Sequence, residues 1–440
     1  MKVIVLLKPQ LSAGAVSYKR KLQISSEEKF LSADDVAAID AALALKEEKQ
    51  AAVTAVAFGD ESCDIILREA VARGADEAIL VQGAEDIRNA AAAAAALKKV
   101  IAAEKADKIL MGSRSGNHFQ KTAGELLTAL MPVDVITAGE GSVGHMYAGR
   151  VFEVYANDCV RTADAGLEEK AFPAVGYENC KRARMQKKVT GTPEEAADAI
   201  AAFLEEIDFR KDRGTGRAAV LTCGNGSFTF VPATEEGIAF AAGLAQKEKL
   251  PVLGGCVDAA IRDGKMQISV PLENRYVREV IEPAGDAVIL YDNFALAAAL
   301  KNAAQGGDCG FKELKGSLGR LPGDTVIAAG GRGMCTKEAF DKLQTIADKL
   351  GGTVAASRAA VFNGWAGEDV QVGISGRTVA PKLYIAFGIS GAMQHVDGFS
   401  GSDYVISVNV NDTAPINEET DLIAVGDAEQ TVDALIKKLG

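Results

Sequence analysis

Short apolar runs alternate with stretches of helical periodicity from one end of the chain to the other. Residues 3–7 (VIVLL), 53–58, 79–81 and 109–112 read as strands, and residues 33–48, 63–73 and 88–104 between them read as helices. A buried parallel strand is a near-continuous apolar run, whereas a surface helix repeats its apolar face every three to four residues. Ser32 stands at a helix N-cap position, and Asp34 and Asp35 follow it, where negative charge suits the positive end of a helix. The alanines of 90–96, flanked by Lys98 and Lys99, read as a helix packed closely on a sheet. This alternation implies an α/β protein with parallel sheets and helices on their faces.

The middle of the chain resembles itself. Residues 109–112 (ILMG) lead to a polar loop, a helix ending near Leu130, Pro132–Val133, and later the apolar run 172–177. Residues 220–224 (VLTCG) lead to a polar loop, a helix through about Lys247, Pro251–Val252, and the run 287–291. The shared order suggests two related Rossmann-like units; the alternative is that any two α/β segments look alike. A charged linker at 208–217 (DFRKDRGTGR) and a glycine-containing one at 305–322 divide the chain into 1–210, 216–305 and 322–440.

Composition narrows the function. The chain has 440 residues, 48% of them hydrophobic, and a net charge of -12, so it has ample core material and is a poor partner for nucleic acid or an anionic membrane. The seven cysteines include no CxxC, which leaves no metal-cluster spacing. The apolar run after Lys2 is too short for a signal-peptide core and reads as a first strand, and no run is long enough to span a membrane. With an odd cysteine count, this places the expected location in the cytoplasm.

The last unit carries the densest chemistry. A strand at 325–329 runs into Gly330-Gly331-Arg332-Gly333, where glycines let a backbone approach a ligand and an arginine can neutralise a phosphate. Glycine turns after strands are also common without any ligand. A strand at 353–356 ends at Ser357-Arg358, with a surface ion pair as the plain alternative for Arg358. The strand 383–387 ends in Gly388-Ile389-Ser390-Gly391, followed by Gln394 and His395. For His395 the plain alternative is a helix-face histidine bonded to backbone. Strands at 404–408 and 422–425 end at Asn409 and at Gly426-Asp427. Polar or glycine residues thus collect at one sheet edge, the place where open α/β sheets bind nucleotides.

These motifs, with SRAAV at 357–361, QVG at 371–373 and GISGA.QH at 388–395, resemble the FAD domain of the α subunit of electron-transfer flavoproteins over nearly all of 322–440. The stretches MKVIVLLK, DDVAAIDAALALKE and FPAVGYEN resemble the β subunit, and 216–305 resembles the later part of the first α-subunit domain. The resemblance implies a fused chain: a β-like domain at 1–210, a truncated α-like domain at 216–305, and a doubly wound FAD-binding domain at 322–440. It assigns Arg332, Gly333, Gly388, Ser390 and Gly391 to the FAD diphosphate turn. Arg358 would lie against the isoalloxazine, Gln371 at the ring edge, and Ser375 with its hydroxyl toward N5, with Ser357 and Gly373 also counted among the FAD-binding residues. His395 would lie near O2, Gln394 is counted among the FAD-binding residues, and Asn409 and Asp427 would hold the adenosine end. A cation by the ring stabilises reduced flavin and raises its potential.

The chain departs from the family pattern in places. Ile374 stands where glutamine is usual, and Phe362 where aspartate is common. The loop 113–122 lacks the family's acidic run, which counts against the second nucleotide, AMP or FAD, that the β-like unit would otherwise imply. The family's docking region is replaced by the short basic run 180–188 (CKRARMQKK), for which a solvated edge is the plain alternative. The implied function is an FAD electron carrier between a dehydrogenase and an acceptor protein, rather than an enzyme with its own organic substrate. The competing readings are a nucleotide-binding regulator that kept the fold, and a flavin-dependent reductase.

Overall fold

The computed structural model describes residues 1–11, 16–18, 22–24, 29–83, 88–113, 118–137, 151, 153–154, 157, 159–164, 172–179, 184–207, 209, 217–271, 277–291, 309–315, 318, 326–373, 376, 379 and 381–440. The chain divides into two compact units. One comprises Met1–Cys180 with Arg213–Leu321, the other Lys181–Asp212 with Pro322–Gly440.

The first unit contains a six-stranded parallel sheet in the order Val160–Asp164, Glu77–Gln82, Ala52–Gly59, Lys2–Leu7, Lys108–Gly112, Asp134–Ile136. The side chains of the first strand alternate between two cores. Val3, Val5 and Leu7 join Ile39, Ala42, Ile66 and Leu67 of the helices Ala33–Lys49 and Asp64–Arg73. Ile4 and Leu6 join Ala93, Leu97 and Leu126 of Ala90–Ala103 and His118–Leu130. The polyalanine helix does pack closely: Asn89 caps it, and Ala90, Ala93 and Ala94 are fully buried.

The 216–305 region differs from the repeat expected of it. Ala219–Cys223 is followed not by a helix but by an antiparallel partner, Gly226–Pro232, across a Gly224-Asn225 turn. These strands belong to a mixed sheet ordered Val252–Cys256, Ala287–Tyr291, Gly226–Pro232, Ala219–Cys223, Gly310–Glu313. Its first three strands are mutually parallel, and the last two add antiparallel. The matched runs also part company. Ala287–Tyr291 is an interior strand of this sheet, whereas Ala174–Asn179 joins a separate antiparallel sheet with Val277–Ile281, Lys265–Pro271 and Asp258–Arg262. A glycine-flanked asparagine reverses the chain into a second strand where the sequence predicts a polar loop leading to the helix, which begins only at Glu235.

The second unit is a six-stranded, all-parallel sheet ordered Lys187–Thr190, Leu422–Val425, Tyr404–Asn409, Leu383–Phe387, Val326–Gly330, Thr353–Ala356. Counted from Val326, its five C-terminal strands run 2-1-3-4-5, so the order reverses between Val326–Gly330 and Leu383–Phe387. The helix Lys337–Leu350 is capped by Thr336 and closed by Gly351 in the left-handed region at φ 69°. Helix Pro193–Glu206 starts with Pro193 at its first turn and a reciprocal cap between Thr192 and Glu195.

Residues 181–210 therefore belong with the C-terminal unit rather than with the 1–210 domain expected of them. Ile200, Phe203 and Leu204 share a core with Val432, Leu435 and Leu343. The basic run contributes an internal anchor: Arg184, nearly fully buried, pairs with buried Asp421 at 3.1 Å and donates to the carbonyls of Ser402 and Asp403. Lys187 and Lys188 lie on the edge strand and pair with exposed Glu206 and Asp412. No described helix is long and apolar enough to cross a membrane.

Candidate functional site

Ligands of open α/β sheets bind outside the strand carboxyl ends where the strand order reverses. In the second unit that place lies between the loops after Val326–Gly330 and Leu383–Phe387. Gly331 N donates to the Phe387 carbonyl at 2.8 Å and Gly333 N to the Gly388 carbonyl at 2.9 Å. A Cβ at Gly331 would collide with the Gly388 carbonyl, and Gly388 itself has φ +63°. Glycine is therefore required on both sides for the two loops to join backbone to backbone. Arg332 sits at the apex of this join, in a short 3-10 turn, and is exposed.

The neighbouring strand Thr353–Ala356 delivers Ser357 and Arg358. Ser357 is buried; its N–H donates to the Gly330 carbonyl at 2.9 Å and its hydroxyl caps the helix Arg358–Phe362. Arg358 is exposed. Neither Arg332 nor Arg358 has an ion-pair or hydrogen-bond partner among the described residues, so the surface ion pair weighed for Arg358 is not formed among them. Gln371 is buried and bridges Ala356 in parallel; Gly373 follows in a turn against the backbone of Gln394. Ser375 and Ile374 lie outside the described residues.

The loop after Leu383–Phe387 is braced from the next strand. Asn409 Nδ2 donates to the Ile389 carbonyl at 2.8 Å, and Ile416 N donates to the Ser390 carbonyl at 3.1 Å. Gly391, at φ +85°, lies so close to Ile416 that a Cβ would clash with its backbone. Ser390 and Gln394 remain exposed. Asp427 is exposed too, and one of its carboxylate oxygens caps helix Ala428–Lys438 by accepting from Gln430 N at 2.9 Å. Asn409 and Asp427 are thus both committed to local backbone, and each also lies at the same carboxyl edge.

His395 is placed differently from the expectation. It is buried, with Nδ1 2.9 Å from the Val372 carbonyl and Nε2 3.0 Å from the Tyr384 hydroxyl. A carbonyl only accepts, so Nδ1 carries the proton, and Nε2 accepts from Tyr384. Burial holds the imidazole pKa down at about 4 and raises the Tyr384 phenol well above its ordinary 10.0. The ring is therefore neutral at pH 7 and has no spare N–H for a flavin carbonyl. It ties the 371–373 loop to the strand Leu383–Phe387. Tyr384, stacked on Phe399 at 4.4 Å, is the partner that the sequence reading missed. The available signal was a lone hydroxyl in an apolar strand, which must find a partner once buried.

The residues present suit a dinucleotide. Two guanidiniums at adjacent strand ends, without partners among the described residues, match the charge of a diphosphate and of a reduced flavin ring. The glycine join fixes the two loops backbone to backbone on either side of Arg332. Among the described residues, no group of acidic, histidine and cysteine side chains could hold a metal ion.

Two family models match the chain. Residues 320–400 match the one described as the electron transfer flavoprotein FAD-binding domain. Residues 22–151 match the one described as the electron transfer flavoprotein domain. The chain is 52% identical over 114 residues to the electron transfer flavoprotein subunit alpha of Clostridium acetobutylicum, covering 26% of this chain and 34% of that one. It is 51% identical over 111 residues to Protein FixB of Clostridium saccharobutylicum, covering 25% and 33%. It is 47% identical over 113 residues to the Paracoccus denitrificans electron transfer flavoprotein subunit alpha, covering 26% and 37%. The chain thus spans about a third of the length of these curated relatives, and its residues 320–400 match an FAD-binding domain of the electron transfer flavoprotein type.

Proposed function

We propose that this chain is an FAD-bound electron carrier in which a β-like segment and an α-like segment are joined in one polypeptide. The observation that carries the reading is the pair of exposed arginines, Arg332 and Arg358, without partners among the described residues, flanking a glycine-joined strand-order reversal. Arg332 is assigned to the FAD diphosphate, together with Ser390 and the backbone around Gly333, Gly388 and Gly391. Arg358 is assigned to the isoalloxazine, where its charge favours the reduced form. Ser357, Gln371, Gly373 and His395 position that edge, Ser375 and Gln394 line the ring side, and Asn409 and Asp427 brace the adenosine side. A bound flavin supplies reversible uptake and release of electrons, and the partners are a dehydrogenase and an acceptor protein.

The joined arrangement rests on the resemblance of 1–210 to the β subunit; the model matched over residues 22–151 is described only as the electron transfer flavoprotein domain. A second nucleotide in the β-like segment is disfavoured. At the corresponding sheet edge Lys8 is already paired with Asp35, and Asp34 and Asp35 fill the first turn of the adjacent helix. Reconstitution with excess FAD, followed by acid extraction, tests the reading. We expect about one FAD per chain. A chain that stays colourless overturns the proposal in favour of a nucleotide-binding regulator.

A further inference from the structure

Two cysteines far apart in sequence face each other in the mixed sheet of the first unit. Cys223 ends the strand Ala219–Cys223, and Cys309 immediately precedes Gly310–Glu313, its antiparallel neighbour. The register pairs Thr222 with Gly310, so the next step sets Cys223 opposite Cys309. Residues directly opposite in an antiparallel pair have Cα atoms about 4.5–5.5 Å apart, within the range a disulfide bridges. The sulfurs are 3.3 Å apart. Both side chains are half-buried, so a small reagent can reach them, and Cys223 lies against the core built on Leu221, Phe228 and Ile289.

We propose that Cys223 and Cys309 form a redox-responsive dithiol that closes to a cross-strand disulfide by exchange with a low-molecular-weight disulfide. The Cys309 thiolate attacks one sulfur of the small disulfide, forming a mixed disulfide and releasing one small thiol. The Cys223 thiolate then attacks the Cys309 sulfur, forming the protein disulfide and releasing the second thiol. The protein is oxidised by two electrons, the small disulfide is reduced to two thiols, and the two protein thiol protons end on those products. The order follows from the setting. Burial first, and Cys309 second, push the Cys223 thiol up to about 12, which makes it the poorer initial nucleophile. Once Cys309 is in a mixed disulfide, it no longer opposes ionisation of Cys223.

The bond would fasten Gly310–Glu313, an edge strand with Ala219–Cys223 as its sheet neighbour. Edge elements open at lower free energy than sheet centres. The oxidised form should therefore hold that edge closed, and the reduced form should release it.

The test incubates the full-length chain in oxidised glutathione, blocks remaining thiols by alkylation, and digests it with trypsin. A disulfide-linked pair of peptides spanning 218–247 and 302–312 is expected, with two of the seven thiols lost to alkylation. Cys223→Ser should trap glutathione on Cys309. Amide exchange at Gly310 and Lys312, whose N–H groups face Ala219–Cys223 in the register set by the Leu314 N–H to Ala218 carbonyl bond, should slow about tenfold or more on oxidation, as expected when an open edge is clamped. Recovery of both cysteines separately alkylated, or each carrying its own glutathione, would overturn the proposal using the unmutated protein alone.

Discussion

At the carboxyl edge of the first unit's parallel sheet, Lys8 is buried with Asp35 at 3.3 Å and donates to the Gly112 carbonyl at 2.6 Å. Asp34 accepts from Ser113, and buried Lys29 pairs with Asp60 at 3.1 Å. At the same edge of the C-terminal sheet, Arg332 and Arg358 stand exposed without partners among the described residues. The two sheets share a parallel strand arrangement with helices on their faces but spend their cations differently. A buried cation must be paired, because an isolated charge in the interior is very costly, so it serves the fold. An exposed, unpaired guanidinium at a strand-order reversal retains its full capacity for an anion.

The largest expected effect lies on the buried side. Lys8→Ala removes one partner of a buried pair and should cost about 3–5 kcal/mol in urea unfolding. FAD content per folded chain should not change. Loss of FAD with stability intact would break the comparison.

His395 provides the next effect. The unfolded imidazole takes up a proton below its ordinary 6.5, whereas the folded one resists until about 4. More protons are bound in the unfolded state across that interval, so stability is fully present above 6.5 and is lost as the pH falls toward 4. The loss should be on the order of 3 kcal/mol. His395→Asn should flatten the slope in unfolding curves taken across the interval; an unchanged slope would assign the titration elsewhere.

The exposed arginines sharpen the other half. A unit charge beside the ring is worth roughly 2–4 kcal/mol at an effective dielectric of ~20, so Arg358→Ala should lower the flavin midpoint potential by on the order of 100 mV. FAD should remain bound, and an unmoved potential in a redox titration would remove Arg358 from the ring. Arg332→Ala should instead weaken FAD binding by about ten- to a hundredfold, the worth of a charge-assisted hydrogen bond of about 1.5–3 kcal/mol, with little change in potential. Fluorescence titration of the apoprotein with FAD measures it.

What the sequence determined is what local chemistry encodes. Thr336 and Gly351 bracket the helix Lys337–Leu350, apolar runs mark Leu383–Phe387 and Leu422–Val425, and Gly330–Gly333 marks the turn that presents Arg332. Each signal lies within a few residues of the feature it specifies. What only the tertiary structure decided depends on partners remote in the chain. Arg184 reads as one more charge in a basic run until Asp421, 237 residues away, buries it. The strand Lys187–Thr190 has no sheet of its own until it meets Leu422–Val425. His395 looks like a ligand to the cofactor until Tyr384 and Val372 occupy both its nitrogens. Hydrophobic periodicity tells which face of an element is buried but not which neighbour buries it. A polar side chain's role therefore becomes fixed only when folding has chosen its partner.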